Sequence, residues 1–233
     1  MAKKRSVWRW IKRFLLLLIA LLLLWLGWLV GWVLWWQQAN PDTTRFMRIR
    51  LAELKRHDPN ARLRHQWVDY DQISIHLKRA VVAAEDDRFL DHRGFDWEGI
   101  RDAMERNARR GQTVAGGSTI SQQLAKNLFL SPKRSYLRKA NEAVITVMLE
   151  TFWSKRRILE VYLNVAEWGD GVFGAEAASR HYFQVSAARL GPAESVRLAV
   201  MLPNPRRYEQ NFGPWLKKHS ERVRARMGTS RVP

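Results

Sequence analysis

A row of acidic residues is the first stretch whose residue types suggest chemistry. Glu85, Asp86 and Asp87 directly follow a small apolar run, and His92 comes soon after them. A carboxylate at such a position is usually a solvated surface group. The alternative is a carboxylate held for acid/base work. One feature favours it, since a negative charge at the C-terminal end of a helix opposes the helix dipole, and local costs of this kind are tolerated at functional sites.

A second stretch, GGSTISQQLAKN at residues 116–127, is rich in hydrogen-bond donors around a predicted helix N-terminus. Backbone N–H groups at such a terminus already favour anions. The donor side chains are those of Ser118, Thr119, Gln122, Gln123, Lys126 and Asn127. A well-capped surface helix is the plainer interpretation, because Thr119 and Gln122 have the spacing of a capping box. Both interpretations stay open at this point.

A third stretch, RSYLRKANE, places Arg134, Arg138 and Lys139 close to Glu142. Arg138 and Glu142 are an i,i+4 pair, which stabilises an exposed helix by only about 0.2–0.5 kcal/mol. Such pairs usually form a solvated face. So many cations near one carboxylate could instead hold a pyrophosphate, with or without a divalent ion.

A further apolar stretch, ILEVYLN at residues 158–164, has a regular helical pattern. We interpret Glu160 as structural, and Ile158, Leu159, Tyr162 and Leu163 as packing residues.

Amphipathic helices account for most of the segments that carry these residues. Leu77, Ala80, Val81 and Ala84 fall on one face of a helix that Ser74 can cap, so Glu85 arrives at its C-terminal end. A second helix begins after Asp96 and ends at Gly111, and a third runs from residue 120 to Pro132; two longer helical stretches follow. Strand signals are sparse, and the sequence therefore predicts a mainly α domain.

The N-terminal region has a different composition. Residues 14–36 carry no charge, and about 23 residues at about 1.5 Å each span a hydrocarbon core of about 30 Å. A cleaved signal peptide is the competing interpretation, but its apolar region would be about 7–15 residues long, and this one ends in Trp35 and Trp36. Basic residues are denser before the span than after it, which favours a cytoplasmic N-terminus.

We therefore divide the chain into five segments. They are a cytoplasmic basic tail at 1–13, a transmembrane helix at 14–36, a juxtamembrane linker at 37–66, a catalytic domain at 67–215 and a basic C-terminal tail at 216–233. The absence of cysteine excludes disulfides and thiolate metal sites. The net charge of +18 predicts an anionic partner, either acidic lipid or a phosphorylated substrate, and the anchor argues against nucleic acid.

Taken together and in this order, EDDRFLDHRG, GGSTISQQLAKN, RKANE and ILEVYLN resemble glycosyltransferase family 51, the peptidoglycan glycosyltransferases. The resemblance covers residues 73–207 or so. The single anchor, the short chain and the lack of S-x-x-K and K-T-G motifs resemble the monofunctional members of the family, without a transpeptidase domain.

The resemblance implies a lysozyme-like, two-lobed helical domain whose smaller lobe lies against the membrane. It implies polymerisation of lipid II into β-1,4 glycan strands by an inverting mechanism, with release of polyprenyl pyrophosphate. The implied partners are lipid II, the growing lipid-linked glycan, the bacterial membrane and other cell-wall synthesis or division proteins. The implied location is the inner (cytoplasmic) membrane, with the catalytic domain outside the cytoplasm.

The resemblance also assigns roles to individual residues. Glu85 is the implied base that takes the proton of the acceptor hydroxyl. Glu142 is the implied second catalytic carboxylate, which orients either a divalent ion (Mg or Mn) or the basic side chains around the diphosphate; no cofactor is implied as obligatory. The remaining predicted substrate-binding residues are Asp86, Ser118, Thr119, Gln122, Gln123, Lys126, Asn127, Arg134, Arg138 and Lys139. Of these, Asp86 is expected, with His92, to support the Glu85 loop.

Two rival functions remain open in the sequence. A lytic enzyme of lysozyme-like fold would also use a glutamate, but it would cut glycan. A membrane-anchored scaffold would bind lipid II without turnover. The GGSTISQQLAKN stretch and the basic cluster favour diphosphate handling and argue against the lytic enzyme, and the scaffold stays open.

Overall fold

The computed structural model describes residues 2–111, 117–133 and 135–233, and the chain divides into two units, residues 1–39 and 40–233. The first unit is helix α1 (Ala2–Gln38). Within it, Trp8–Gln38 is long and apolar enough to cross a membrane, and it is the one such helix in the described part of the chain. The helix extends beyond 14–36 at both ends, because neither the basic residues before the span nor the residues just after it interrupt the backbone hydrogen bonding.

The second unit is mainly α, as predicted. Its helices are α2 (Arg45–Leu54), α3 (Ile75–Glu85), α4 (Trp97–Arg110), α5 (Ile120–Phe129), α6 (Tyr136–Phe152), α7 (Lys155–Val165), α8 (Ala175–Phe183), α9 (Pro192–Met201), α10 (Pro205–Gln210) and α11 (Pro214–Met227). The strands β1 (Arg64–His65), β2 (Glu167–Gly169) and β3 (Val172–Phe173) form a small sheet in the order β1-β3-β2. β3 is parallel to β1 and antiparallel to β2.

Helix starts are set by the capping residues that the sequence indicates. The side chain of Ser74 accepts from the His76 N–H at the start of α3, and that of Asp96 accepts from the Gly99 N–H at the start of α4. Thr119 and Gln122 form the predicted capping box of α5. These caps satisfy N–H groups that the first helical turn leaves without partners.

Two helices are enclosed on several sides and carry the site. α3 packs against α9 and α11, and α5 packs against α2, α6 and α7. The predicted stripe residues Leu77, Ala80 and Val81 are fully buried, but so is Val82 on another face of α3, because α9 and α11 cover the helix from different directions. An element held in this way positions its terminal residue, Glu85, with little freedom.

The stretch 37–66 contributes structure to the second unit, which begins at Asn40. Thr44 caps α2, whose Phe46 and Met47 are buried, and α2 packs against α5. β1 also comes from this stretch. The stretch thus supplies one side of the support for α5.

Candidate active site

An open cleft of about 380 Å³ lies on the surface of the second unit. Its lining comes from α2, α5, α6, α7, β2 and the turn between α9 and α10. The predicted site residues that line it are Ser118, Gln122, Gln123, Lys126, Asn127, Arg138, Lys139 and Glu142. Side chains far apart in the sequence therefore share one cavity.

Glu85 contacts this cleft through a hydrogen-bonded chain. The Gln123 amide Nε2 donates to Glu85 Oε2 at 2.7 Å, and the Tyr162 hydroxyl donates to Gln123 Oε1 at 2.9 Å. Tyr162 is fully buried, and burial raises the pKa of its hydroxyl, so the hydroxyl keeps its proton and donates. The amide of Gln123 is thereby oriented with its N–H group towards Glu85.

The surroundings of Glu85 act on its pKa in opposite directions. Burial raises the pKa of its carboxyl, the hydrogen bond from Gln123 and the charge of Lys126 lower it, and the charge of Asp86 raises it. Desolvation disfavours the ionised form. The net effect is a pKa above the usual value of a glutamate, which makes Glu85 a stronger base once it is ionised.

Asp86 and Thr119 are buried, and they connect the loop after Glu85 to the start of α5. Asp86 Oδ1 lies 2.8 Å from His92 Nε2, and Asp86 Oδ2 accepts from the Ile120 N–H at 2.9 Å. The Thr119 hydroxyl donates to the Gly94 carbonyl at 2.7 Å. Both carboxylate oxygens of Asp86 therefore have partners within the protein.

Gly94 allows the loop after Glu85 to pass close to α6. Its φ is +92°, and a Cβ added there would lie 2.7 Å from Thr146 Cγ2 and 3.1 Å from Glu150 Cγ. A larger residue would be strained by its backbone and would also clash. Gly94 thus fixes the loop that Thr119 and His92 both contact.

The basic side of the cleft is built around Glu142. This carboxylate is 3% exposed, and it accepts from Arg138 Nη1 at 2.5 Å and from Lys139 Nζ. Lys139 Nζ also lies 3.4 Å from the Ser118 hydroxyl. The Arg138 Nε–H is buried and has no hydrogen-bond partner among the residues that the structure describes. Glu142 therefore fixes two cations at the cleft.

Lys126 points into the same cleft from α5. Burial lowers the pKa of its ammonium group, and the charge of Glu142 raises it. Within the described ranges it makes no hydrogen bond or ion pair, so its donors are available to a ligand. Arg134, the other predicted phosphate-binding residue, lies outside the described residues, as do residues 112–116.

Three residues of the site were missed by the sequence analysis. Tyr162 was interpreted as packing, although a tyrosine in a buried apolar run needs a partner for its hydroxyl. Arg50 and Glu167 line the opposite wall, with Arg50 Nε 3.1 Å from Glu167 Oε1. Burial raises the pKa of Glu167, and Arg50 lowers it. No local pattern marks this pair, because its members are far apart in the chain.

Glu142 is the residue predicted to orient a divalent ion. No group of three or more His, Cys, Asp or Glu side chains is placed to hold an ion within the described part of the chain. Both oxygens of Glu142, the predicted metal residue, are already engaged by Arg138 and Lys139. A divalent ion bound there would share the carboxylate with these two cations.

The chain is similar in sequence to a known family and to several curated proteins. A family model described as Transglycosylase matches residues 52–229. A biosynthetic peptidoglycan transglycosylase of Azoarcus sp. (strain BH72) is 67% identical over 229 residues, which cover 98% of this chain and 99% of the relative. Relatives with the same description from Aromatoleum aromaticum and Thiobacillus denitrificans are 65% and 53% identical, and the matches cover 95% and 98% of this chain and 96% and 99% of the relatives.

Proposed function

The chain belongs to the transglycosylase family and is a peptidoglycan glycosyltransferase, and we propose that it polymerises lipid II by an inverting mechanism. In this reaction the 4-hydroxyl of the incoming GlcNAc attacks C1 of the MurNAc at the reducing end of the growing strand. The bond from C1 to the diphosphate oxygen breaks, and polyprenyl pyrophosphate leaves. An α-linked donor thereby becomes a β-1,4 glycan.

Glu85 is the proposed general base. An inverting transfer needs a base on the face opposite the leaving group, which takes the proton of the attacking hydroxyl. The raised pKa of Glu85 and its hydrogen bond from Gln123 support this role. A base with a pKa closer to the working pH makes proton transfer more favourable.

One observation carries the proposal: α5 presents Gln123 and Lys126 to the same cleft, one beside Glu85 and the other beside Glu142. A single rigid helix thus fixes the distance between the carboxylate that would accept a proton and the cations that would stabilise a departing diphosphate. Preorganised charges of this kind are typically worth about 3–4 kcal/mol each in a transition state.

The cations of the cleft take the role that a metal would otherwise have. Lys126, Arg138 and Lys139 supply donors to the diphosphate, and Glu142 orients the last two. A diphosphate is a good leaving group, so it needs charge stabilisation more than a proton. We therefore expect activity with a soluble lipid II analogue to persist, at a reduced level, after chelation of divalent ions with EDTA.

The proposed location is the bacterial inner membrane, with a cytoplasmic N-terminus. The apolar helix α1 fits a membrane anchor, and both proposed substrates carry polyprenyl tails that keep them in the bilayer. Large apolar side chains of the second unit are also exposed, among them Trp97, Met104 and Leu137. They support the expectation that part of this unit lies against the membrane.

The function is tested by incubating the detergent-solubilised protein with fluorescent lipid II and separating the products by size. We expect a ladder of glycan strands that muramidase digests, since that enzyme cuts β-1,4 glycan. The digest should contain only uncrosslinked units, because we propose no transpeptidase activity. Lipid II that binds but stays unchanged would support a scaffold instead, and cleavage of preformed glycan would support a lytic enzyme.

A further inference from the structure

Residues 226–233, which we call the C-terminal strap, contact the chain around the C-terminal end of α3, the helix that ends in Glu85. The strap begins in the last turn of α11, whose Leu216, Val223 and Met227 are buried, and α11 packs against both α3 and α9. None of the four motifs quoted in the sequence analysis falls in this segment. The strap therefore lies close to Glu85, the last residue of α3.

The strap contacts the chain on both sides of Glu85. Before Glu85, the Arg226 Nη2 group donates to the Ala83 carbonyl at 3.1 Å. After Glu85, the Ser230 hydroxyl donates to Asp87 Oδ1 at 3.0 Å, and Arg226 Nη1 lies 4.0 Å from Asp87 Oδ2. The residues two before and two after the proposed base are thus bound by one short segment.

The contact at Ala83 has a specific electrostatic meaning. The carbonyls of the last helical turn have no partner within the helix, and cations are favourable at a helix C-terminus. Arg226 provides both a hydrogen-bond donor and a positive charge there. It therefore offsets part of the cost of placing the Glu85 carboxylate at the same helix end.

The strap is itself anchored at further points. Ser230 is 6% exposed, so its hydrogen bond is largely shielded from water. Arg231 contacts Asp91 at 2.5 Å, and the Tyr70 hydroxyl donates to the main-chain oxygen of Pro233 at 2.6 Å. Tyr70 is buried and precedes α3 in the chain. The strap is therefore bound to residues that precede and follow α3 in the chain as well as to α3 itself.

From these contacts we infer that the C-terminal strap is a positioning element for Glu85, with Arg226 and Ser230 as the positioning residues. The inference rests on the proposed role of Glu85 as general base. On the cleft side, Asp86 binds the backbone of α5 and His92. On the opposite side, the strap binds positions 83 and 87. The turn that carries Glu85 is thus held from two directions, and neither Arg226 nor Ser230 lines the cleft.

The test compares Arg226→Ala and Ser230→Ala with matched controls in the full-length enzyme. Arg224→Ala removes the same charge from an exposed position of α11, and Ser220→Ala removes a hydroxyl that bonds only within α11.

Rates of lipid II polymerisation are measured against substrate concentration, at a temperature where circular dichroism shows every variant fully folded. We expect kcat to fall about tenfold or more in each strap variant, because small displacements of a catalytic group are costly. KM should stay within about twofold, the controls should match the wild type, and Arg226→Lys should recover most of the rate.

Either of two results would overturn the inference. One is a kcat in both strap variants equal to that of the controls. The other is a loss of rate that appears only together with a loss of folded protein, and that Arg226→Lys does not recover. Glu85→Gln is assayed in parallel. If Glu85→Gln is inactive while the strap variants are fully active, the strap inference fails alone; if Glu85→Gln retains full activity, the proposed function fails with it.

Discussion

Glu85 is the last residue of the buried helix α3. Two effects are unfavourable to its ionised carboxylate: the helix dipole and the loss of water on burial. Because the folded protein holds the proton of this group more tightly than the unfolded chain does, ionisation of Glu85 costs stability. The protonated Glu85 side chain therefore contributes to the free energy of unfolding at low pH. That contribution is lost as the pH rises through the range in which Glu85 ionises. A group that destabilises the fold in its working state is typical of an active site.

Loss of the Glu85 charge should not destabilise the folded protein. Glu85→Gln removes the buried charge and keeps the shape of the side chain, so we expect the melting temperature at neutral pH to be unchanged or higher. The measurement is thermal unfolding followed by circular dichroism. A clearly lower melting temperature would mean that Glu85 is held for structure.

The second prediction concerns pH dependence. The hydrogen bond from Gln123 lowers the pKa of Glu85, so Gln123→Ala should raise that pKa. Since the base works only when it is ionised, the acidic limb of the rate profile should move to higher pH. Gln210→Ala, at an exposed position of α10, is the control and should leave the limb unchanged. A shift to lower pH would contradict the assigned hydrogen bond.

The third prediction concerns Lys126, whose pKa burial lowers. Lys126→Met keeps the volume of the side chain and removes a charge that is costly to bury, so the melting temperature should not fall. The rate with a pyrophosphate-linked donor should fall at least about tenfold, or about 1.4 kcal/mol of barrier. Lys217→Met, at an exposed position of α11, should change neither quantity. Parallel losses of rate and stability would argue that Lys126 is structural.

Residue types and spacing predicted much of the site at this scale. Ser118, Gln123, Lys126 and Glu142, which the sequence analysis named as candidate site residues, all line one cleft. The sequence could not show that Tyr162 orients Gln123, because that contact depends on how α7 packs against α5. Long-range packing decides such supporting contacts, and local patterns do not encode it.

At the scale of elements, α5 is the part that unites the two halves of the site, and the loop at Gly94 holds its N-terminus. Thr119, the cap of α5, donates to the Gly94 carbonyl, and Asp86 accepts from the first N–H of the helix. Displacement of this loop should therefore disturb α5 as well as Glu85.

The fourth prediction follows from that arrangement. Gly94→Ala should lower the free energy of unfolding by roughly 1–3 kcal/mol from its positive φ alone, and the contact with Thr146 should add to this. Gly111→Ala is a matched control, since Gly111 also has a positive φ but no atom within 4 Å of the added Cβ. Chemical denaturation should therefore show a larger loss for Gly94→Ala. Equal losses would contradict the close approach to α6.

Helix starts were predictable because capping is local. Ser74, Asp96 and Thr119 each cap the helix that the sequence assigned to them. The role of α2 was not predictable in the same way, because residues 37–66 as a whole are polar and basic and lack a sustained apolar period, although Phe46 and Met47 of α2 are buried. Short helices gain much of their order from tertiary contacts, and those contacts leave no periodic signal.

At the scale of the whole molecule, charge and hydropathy agree with the function. A net charge of +18 suits a protein that works beside anionic lipids on a diphosphate-linked substrate. The long apolar helix α1 fits a membrane anchor, and the residues that line the candidate active site lie within residues 40–233. Composition also separates the two segments, because a segment that crosses a membrane and a globular unit have different solvents.

The most direct test of the proposed mechanism is the rate of lipid II polymerisation by Glu85→Gln, with lipid II binding measured on the same preparation. We predict a rate at least about a hundredfold below that of the wild type, near 3 kcal/mol of barrier. Binding should stay within about twofold, because the glutamine side chain keeps the shape of the wall. Full polymerase rate in this variant would contradict the central claim that Glu85 is the base.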